Sequence, residues 1–156
     1  MMIISGGQTG VDRAALDVAI QLKIPHGGFA PKGRKAEDGI IDQRYHLTEL
    51  PTTSYEDRTK ANVDWADATL ILYKGVLEGG TLLTWNYAKA RQKPILHIDL
   101  DAHSFDTIVL QCQKWLETTQ PKRLNIAGPR ESKFPGIYTD SLQILLKSLK
   151  KPFPFL

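Results

Sequence analysis

Glycines and a small hydroxyl residue cluster near the start of the chain, where their types and spacing could bind an anion. In the stretch SGGQTG, Gly6, Gly7 and Gly10 surround Thr9 and precede Asp12. Glycines let a backbone adopt positive φ and approach a ligand closely, and a helix that follows offers free N–H groups and a partial positive charge. A second interpretation stays open, in which Thr9 and Asp12 form a capping box and the glycines make a tight turn.

Two later stretches repeat this design. Gly79 and Gly80 precede Thr81 in KGVLEGGTLLTW, and Gly128 and Arg130 open the stretch AGPRESKFPG. The second stretch is not a Walker A sequence, because no lysine precedes Thr81, so an ATPase of that type is disfavoured. Three such loops predict one shared anionic ligand if the fold brings them together.

The elements around these loops predict an α/β fold. Short aliphatic runs alternate with longer segments of helical period, a pattern typical of a parallel sheet covered by helices. A chain of 156 residues has room for one such domain, so residues 1–156 are predicted to form a single Rossmann-like domain. Its helices are expected on both faces of a five-stranded sheet. The predicted strands are Met2 to Ser5, Gly27 to Ala30, Ala68 to Tyr73, Ile95 to Leu100 and Leu124 to Ala127.

Composition and charge exclude several functional classes. The net charge is +3, but the basic residues are scattered and are not interleaved with aromatics, which argues against a nucleic-acid partner. No apolar run has the roughly 18 residues of a membrane-spanning helix, and no leader pattern begins the chain. We therefore expect a cytoplasmic protein without a membrane partner.

The residues that could bind a metal are few. Cys112 is the single cysteine, so a disulfide framework and a thiolate cage are both excluded. Asp99, Asp101 and His103 in DLDAH are residue types that bind metals, but a short acidic turn is the commoner structure. No permanently bound metal is predicted.

The segment between the second and third predicted strands, Pro31 to Tyr55, is too polar to be regular throughout. Its loop PKGRKAEDG has three basic residues followed by Glu37 and Asp38. Long loops in compact domains are often functional or mobile. The sequence leaves two interpretations open, a lid over the ligand or a solvated turn.

Longer stretches that contain these motifs resemble a known family. ADATLILYKGVLEGGTLLTWNYAKARQKPILHID resembles the part of the LOG-type phosphoribohydrolases in which a strand leads to a PGGxGTxxE loop and a helix. IISGGQTGVDRAALDVAIQLKIPHGGFAP resembles the region that precedes it there. NIAGPRESKFPGIYTDSLQILL resembles that family's first strand and helix but stands last in this chain. The sequence is thus similar to the circularly permuted LOG-like (lysine decarboxylase-like) family, whose members are named as molybdenum cofactor carriers.

The resemblance has consequences for fold and chemistry. Transposing the LOG order implies strand order 2-1-5-3-4, with the three strands that precede glycine loops adjacent at the centre. The hydrolases cleave an N-glycosidic bond with an arginine and a glutamate. Arg58 falls where that arginine would be, with Asn62 one helical turn later, but Thr84 stands at the glutamate position and Glu78 has the wrong offset. Loss of a placed carboxyl favours binding over catalysis.

The resemblance therefore implies a carrier that binds the molybdenum cofactor or molybdopterin through its phosphate, with Trp85 as a residue that could border the ring. Two alternatives stay open. One is a nucleoside monophosphate phosphoribohydrolase-like enzyme with Arg58 as its catalytic residue, and the other is a nucleotide-sensing module without turnover. The sequence does not determine the ring system of the ligand. It also leaves open whether the protein forms a homo-oligomer, which is common among relatives of this fold. The predicted cofactor-binding residues are Gly6, Gly7, Thr9, Gly10, Asp12, Arg58, Asn62, Gly79, Gly80, Thr81, Gly128 and Arg130.

Overall fold

Strands and helices alternate along most of the chain. The computed structural model describes residues 1–150. The strands are β1 Met2–Ile4, β2 His26–Gly27, β3 Phe29–Ala30, β4 Lys35–Ala36, β5 Gly39–Ile40, β6 Thr48–Glu49, β7 Ala68–Tyr73, β8 Ile95–Asp99 and β9 Arg123–Ala127. The helices are α1 Val11–Gln21, α2 Tyr55–Trp65, α3 Gly79–Ala90, α4 Phe105–Thr119 and α5 Ile137–Leu149.

Five strands form one parallel sheet in the order β2-β1-β9-β7-β8. This order confirms the prediction made from the permuted resemblance, because β9 enters between β1 and β7. The strand ATLILY is buried along almost its whole length, as expected for a parallel strand covered on both faces. The carboxyl ends of β1, β9 and β7 therefore lie side by side, each followed by one of the glycine loops.

The second predicted strand, Gly27 to Ala30, is wrong as one element. Gly28 has φ +139°, and a Cβ at that position would lie 2.1 Å from the Ser5 carbonyl oxygen. The chain therefore turns at Gly28, where only glycine fits against β1. β2 stays in the main sheet, whereas β3 leaves it and pairs in parallel with β6.

The main core lies between the sheet and α1, α4 and α5. It combines aliphatic residues of the four longest strand segments with the apolar faces of these helices, such as Val18, Ile108 and Leu145. Cys112 belongs to this cluster, and burial raises the pKa of its thiol to about 12, which fits a packing role. Helices α2 and α3 pack against each other. No helix within residues 1–150 is long and apolar enough to cross a membrane.

The segment from residue 31 to 54 is held by its own small core and by a buried arginine. Arg34 is 7% exposed and donates hydrogen bonds to the carbonyls of Ile41, Asp42, Tyr45 and Leu47. These bonds satisfy the guanidinium, so Arg34 organises the segment. The apolar side of the segment packs on α1 through Leu16, Ala30, Ala36, Ile41 and Tyr45.

Candidate functional site

A polar cavity of about 280 Å³ lies at the carboxyl ends of the central strands. Its wall combines all three glycine loops with the inner face of α2, so the loops do meet around one space, as the sequence predicts. The wall is formed by Gly6, Gln8, Asp12, Arg58, Thr59, Asn62, Glu78, Gly79, Gly80, Thr81, Thr84, Asn125, Ala127, Gly128, Pro129, Arg130 and Lys133. Trp85 is outside this wall and packs edge-on against His97, with 5.9 Å between the ring centroids.

The first turn of α3 forms one side of the cavity. Glu78 is the N-cap residue, and its side chain makes no capping hydrogen bond to the helix. The N–H groups of Gly79, Gly80 and Thr81 have no acceptor inside the helix, because the first turn of any helix lacks the preceding carbonyls. Gly79 has φ +54°, which favours glycine there. This helix start combines free donors with the positive end of a helix dipole.

Three cationic side chains border the same space. Arg58 is 8% exposed, and its Nη1 donates to the Gly6 carbonyl at 3.0 Å. Arg130 is exposed at the mouth, and its guanidinium lies 5.7 Å from the Tyr55 ring centroid. Lys133 forms an ion pair with Glu78 at 3.1 Å. Burial lowers the pKa of Arg58, although the nearby Asp12 carboxylate partly offsets this effect.

Asp12 places a carboxyl group in the cavity wall. It is 7% exposed, and burial raises its pKa from 3.8 to about 6, against the opposing effect of Arg58. One carboxylate oxygen lies 3.9 Å from Arg58 Nη1 and accepts the Gln8 N–H at 3.4 Å. A carboxyl with such a pKa can exchange protons near neutrality, and it repels an anion placed beside it.

The backbone of the first glycine loop is largely satisfied by the protein itself. The N–H of Gly7 donates to Ser5 Oγ at 3.2 Å, that of Gln8 to Asp12, and that of Thr9 to Gln8 Oε1 at 3.0 Å. These amides are not free to bind phosphate. The start of α3 therefore offers free amides to the cavity that Gly7, Gln8 and Thr9 do not.

The structure places Gly7, Thr9 and Gly10 outside the cavity wall, which corrects their predicted position. Gly7 and Gly10 have another role, which is close packing. A Cβ on Gly7 would lie 2.7 Å from the Leu47 side chain, and one on Gly10 would lie 2.3 Å from the Pro129 carbonyl oxygen. These glycines allow segments to cross closely. The capping box is also absent, because Gly10 is the N-cap of α1 and no side chain caps that helix.

Two other predicted residues, Asn62 and Gly128, border the cavity but interact mainly with neighbouring protein groups. The Asn62 side chain accepts the Phe29 N–H at 2.8 Å and donates to the Phe29 carbonyl at 3.1 Å, so it holds β3 against α2. A Cβ on Gly128 would lie 2.2 Å from the Leu72 carbonyl oxygen. Both residues shape the wall more than they offer polar groups to a ligand.

Sequence reasoning missed Gln8, Asn125 and Lys133 as wall residues. Asn125 is 2% exposed in the apolar strand β9, and its Nδ2 donates to Thr69 Oγ1 at 3.4 Å. A polar residue inside a buried run is a signal that could have identified it. Gln8 lies inside SGGQTG itself, between the glycines from which the anion site is predicted.

The β4–β5 hairpin is fastened across the edge of the site. Glu37 accepts hydrogen bonds from Thr9 Oγ1, from the Ser132 N–H at 3.1 Å and from Ser132 Oγ at 2.6 Å. Asp38 pairs with Arg13 at 2.9 Å. The hairpin thus connects the first and third glycine loops, but none of its residues is part of the cavity wall, and the lid interpretation stays a prediction.

The acidic turn at the end of β8 stabilises two loops through the Asp99 carboxylate. Asp99 accepts the N–H groups of Gly75 and Asp101, both at 2.9 Å. Within residues 1–150, no group of three or more His, Cys, Asp or Glu side chains is placed to hold a metal ion.

With this geometry established, comparisons with known proteins place the chain. Residues 3–149 match the model of the circularly permutated YpsA SLOG family. The chain belongs to this family. The match spans all of the sheet except Met2 and includes all three glycine loops, and it confirms the resemblance to a circularly permuted LOG-like fold.

A solved structure is similar to this chain over almost its whole length. A protein from Syntrophus aciditrophicus SB, described as a "putative molybdenum carrier protein", is 48% identical to this chain. The alignment covers 96% of this chain and 94% of that one, with a TM-score of 0.93. A search of curated proteins finds no match.

Proposed function

We propose that this protein binds a phosphorylated heterocycle and carries it, with the molybdenum cofactor or its pterin precursor as the ligand. The observation that carries the proposal is the start of α3, where Gly79, Gly80 and Thr81 open into a cavity that also holds Arg58 and Arg130. Helix N–H groups together with guanidinium groups are a common phosphate-binding arrangement. The similar protein described as a molybdenum carrier supports the choice of ligand.

The distribution of charge separates the cavity into two parts. The free amides of α3 lie with Arg130, Lys133 and the Glu78 carboxylate that pairs with Lys133, whereas Asp12, Gln8 and Arg58 lie toward the first loop. A phosphate is expected at α3, because there it meets the helix dipole and Arg130 without facing the Asp12 carboxylate. The ring would then occupy the other part, which suits a carrier that protects its cargo.

Native mass spectrometry of freshly purified protein tests the proposal directly, since a carried ligand should co-purify. Isothermal titration with neopterin monophosphate then measures binding. Arg130→Ala should weaken it about tenfold, because an exposed guanidinium contributes to phosphate affinity. Arg91→Ala, which removes the same charge outside the cavity wall, is the matched control and should leave affinity unchanged. Equal affinity for neopterin with and without phosphate would contradict the proposal.

A second candidate function is hydrolysis of a nucleoside monophosphate, and Asp12 is the observation that favours it. Thr84 cannot replace the missing glutamate, and its hydroxyl donates to the Gly80 carbonyl at 2.9 Å. Asp12, however, places a carboxyl with a pKa of about 6 in the same cavity as Arg58. Incubation with AMP and detection of free adenine decides the matter. Sustained release that Arg58→Ala and Asp12→Asn both abolish would favour the enzyme over the carrier.

A further inference from the structure

Gln8 is a residue of the cavity wall whose amide includes a buried donor, and no protein group within residues 1–150 satisfies that donor. Its residue is 5% exposed, and Nε2 has no hydrogen-bond partner among the described residues. The orientation of the amide is determined by its other end, because Oε1 accepts the N–H groups of Thr9 at 3.0 Å and Glu37 at 2.9 Å. Nε2 is therefore the group left over, and Gln8 is part of the cavity wall.

An unsatisfied buried amide donor is costly, and native proteins rarely keep one unless a ligand or water completes it. The expected partner is a hydrogen-bond acceptor on the ligand. The phosphate is a poor choice for this acceptor, because the Asp12 carboxylate lies beside Gln8 and accepts its backbone N–H at 3.4 Å. A neutral acceptor such as a ring carbonyl fits better.

Asp12 favours the opposite kind of ligand group, a hydrogen-bond donor. Its carboxylate can accept hydrogen bonds from a ligand, so an acceptor for Gln8 is expected next to N–H groups that donate to Asp12. A ring carbonyl adjacent to a ring N–H and an exocyclic amino group has this pattern. Pterins and guanine share this amino-oxo-pyrimidine edge, whereas adenine presents an amino group in place of the carbonyl.

We propose that Gln8 and Asp12 are specificity-determining residues that recognise the amino-oxo-pyrimidine edge of the ligand. Gln8 Nε2 donates to the ring carbonyl, and Asp12 accepts from the ring N–H and the amino group. This assignment rests on the proposed function, because it describes the ring-binding part of the same cavity.

Three nucleotides with one phosphate test the assignment without any mutation. GMP carries the full edge, IMP lacks the amino group, and AMP replaces the carbonyl by an amino group. A site built to hydrogen-bond one edge discriminates strongly against an analogue that leaves its polar groups unpaired. We expect GMP to bind at least about tenfold more tightly than AMP by isothermal titration, with IMP between them. Because phosphate and ribose are common to all three, their contacts cancel in the ratios.

Gln8→Glu is the decisive variant. It keeps an oxygen for the N–H groups of Thr9 and Glu37 but replaces the Nε2 donor by an acceptor. The ratio of GMP to AMP affinity should fall to about one or invert, whereas the general effect of the added charge cancels in that ratio. Gln43→Glu adds the same charge at an exposed position outside the cavity wall and should keep the wild-type ratio.

The outcomes separate this proposal from the carrier proposal. Equal binding of GMP, IMP and AMP by the wild-type protein would overturn the role of Gln8 and Asp12 and leave phosphate binding intact. An unchanged ratio in a folded Gln8→Glu protein would do the same. If neither these nucleotides nor neopterin monophosphate binds, both proposals fall. The wild-type series applies even if the variant fails to fold.

Discussion

Arg58 and Gly6 share one small volume beneath the first glycine loop. Arg58 Nη1 donates to the Gly6 carbonyl at 3.0 Å, and a Cβ built on Gly6 would lie 2.4 Å from Arg58 Cδ. The missing side chain at position 6 therefore makes room for the guanidinium that borders the cavity. The requirement for glycine comes from helix α2, which is distant in sequence.

Gly6→Ala is expected to displace Arg58. The added methyl group cannot be accommodated without moving a buried side chain, so we expect a loss of about 1–3 kcal/mol in the free energy of unfolding and weaker binding of neopterin monophosphate. Urea denaturation and titration measure both effects. Gly80→Ala is the control for stability, because a Cβ there meets nothing within 4 Å and alanine favours a helix. If the Gly6→Ala variant is as stable as the wild-type protein, Arg58 has no fixed position.

Glu78→Gln is expected to strengthen phosphate binding. Glu78 places a negative charge at the start of α3 and pairs with Lys133 at 3.1 Å. Removal of this charge favours an anion at the helix start and releases Lys133 for the phosphate. We expect a three- to tenfold gain in affinity for neopterin monophosphate, roughly the effect of one charge near a helix end. Glu117→Gln, in α4, should change nothing, and an unchanged affinity in Glu78→Gln would place the phosphate elsewhere.

Glu37→Gln is expected to loosen the β4–β5 hairpin. Burial opposes the charge of Glu37, but hydrogen bonds from Ser132 and Thr9 outweigh it and lower the pKa below 4.5. The stabilisation from the carboxylate is therefore present at neutral pH and is lost as the pH falls through this lowered value. The variant should show faster amide hydrogen exchange in residues 33–40 and faster ligand release. If Glu37→Gln keeps the wild-type exchange rates in this segment, Glu37 does not hold the hairpin in place.

Asp12 should contribute more to the stability of the folded protein at mildly acidic pH than at neutral pH. Its pKa is raised from 3.8 when unfolded to about 6 in the fold, so the folded state binds a proton more readily. Its contribution to stability is greatest below pH 4 and falls as the pH rises to 6, by about 3 kcal/mol at 1.36 kcal/mol per pH unit.

Asp12→Asn should remove this slope. Urea denaturation of both proteins between pH 4 and 7 gives the difference, which isolates Asp12 from carboxylates of lowered pKa such as Asp38 and Asp99. Parallel pH profiles of the two proteins would mean that Asp12 is hydrated in solution.

Much of the fold and part of the site could be predicted from the sequence. Strand candidates such as ATLILY are contiguous apolar runs, so their type is encoded locally, and the resemblance supplied the order in which they pair. Because parallel strands end at one edge, the meeting of the three glycine loops followed from that order. The family resemblance also identified Arg58, which borders the cavity.

The hydrogen-bond partners could not be predicted. Asn62 bonds to Phe29, and Glu37 reaches Ser132 across a separation of 95 residues. Whether an amide is free for a ligand depends on which protein groups reach it first, and these groups come from distant segments. For that reason the first glycine loop was predicted to bind phosphate, although its amides at Gly7, Gln8 and Thr9 are already engaged.

The amino-acid sequence by itself determined the α/β class, the parallel strands and the positions of the glycine loops, because apolar periodicity and backbone freedom are local properties. The tertiary structure alone decided that the amides of Gly7, Gln8 and Thr9 are engaged, why Gly6 must be glycine, and that Gln8 Nε2 lies buried with no partner within residues 1–150. These features arise from contacts between segments far apart in the chain, where close packing and competition for hydrogen bonds select one arrangement.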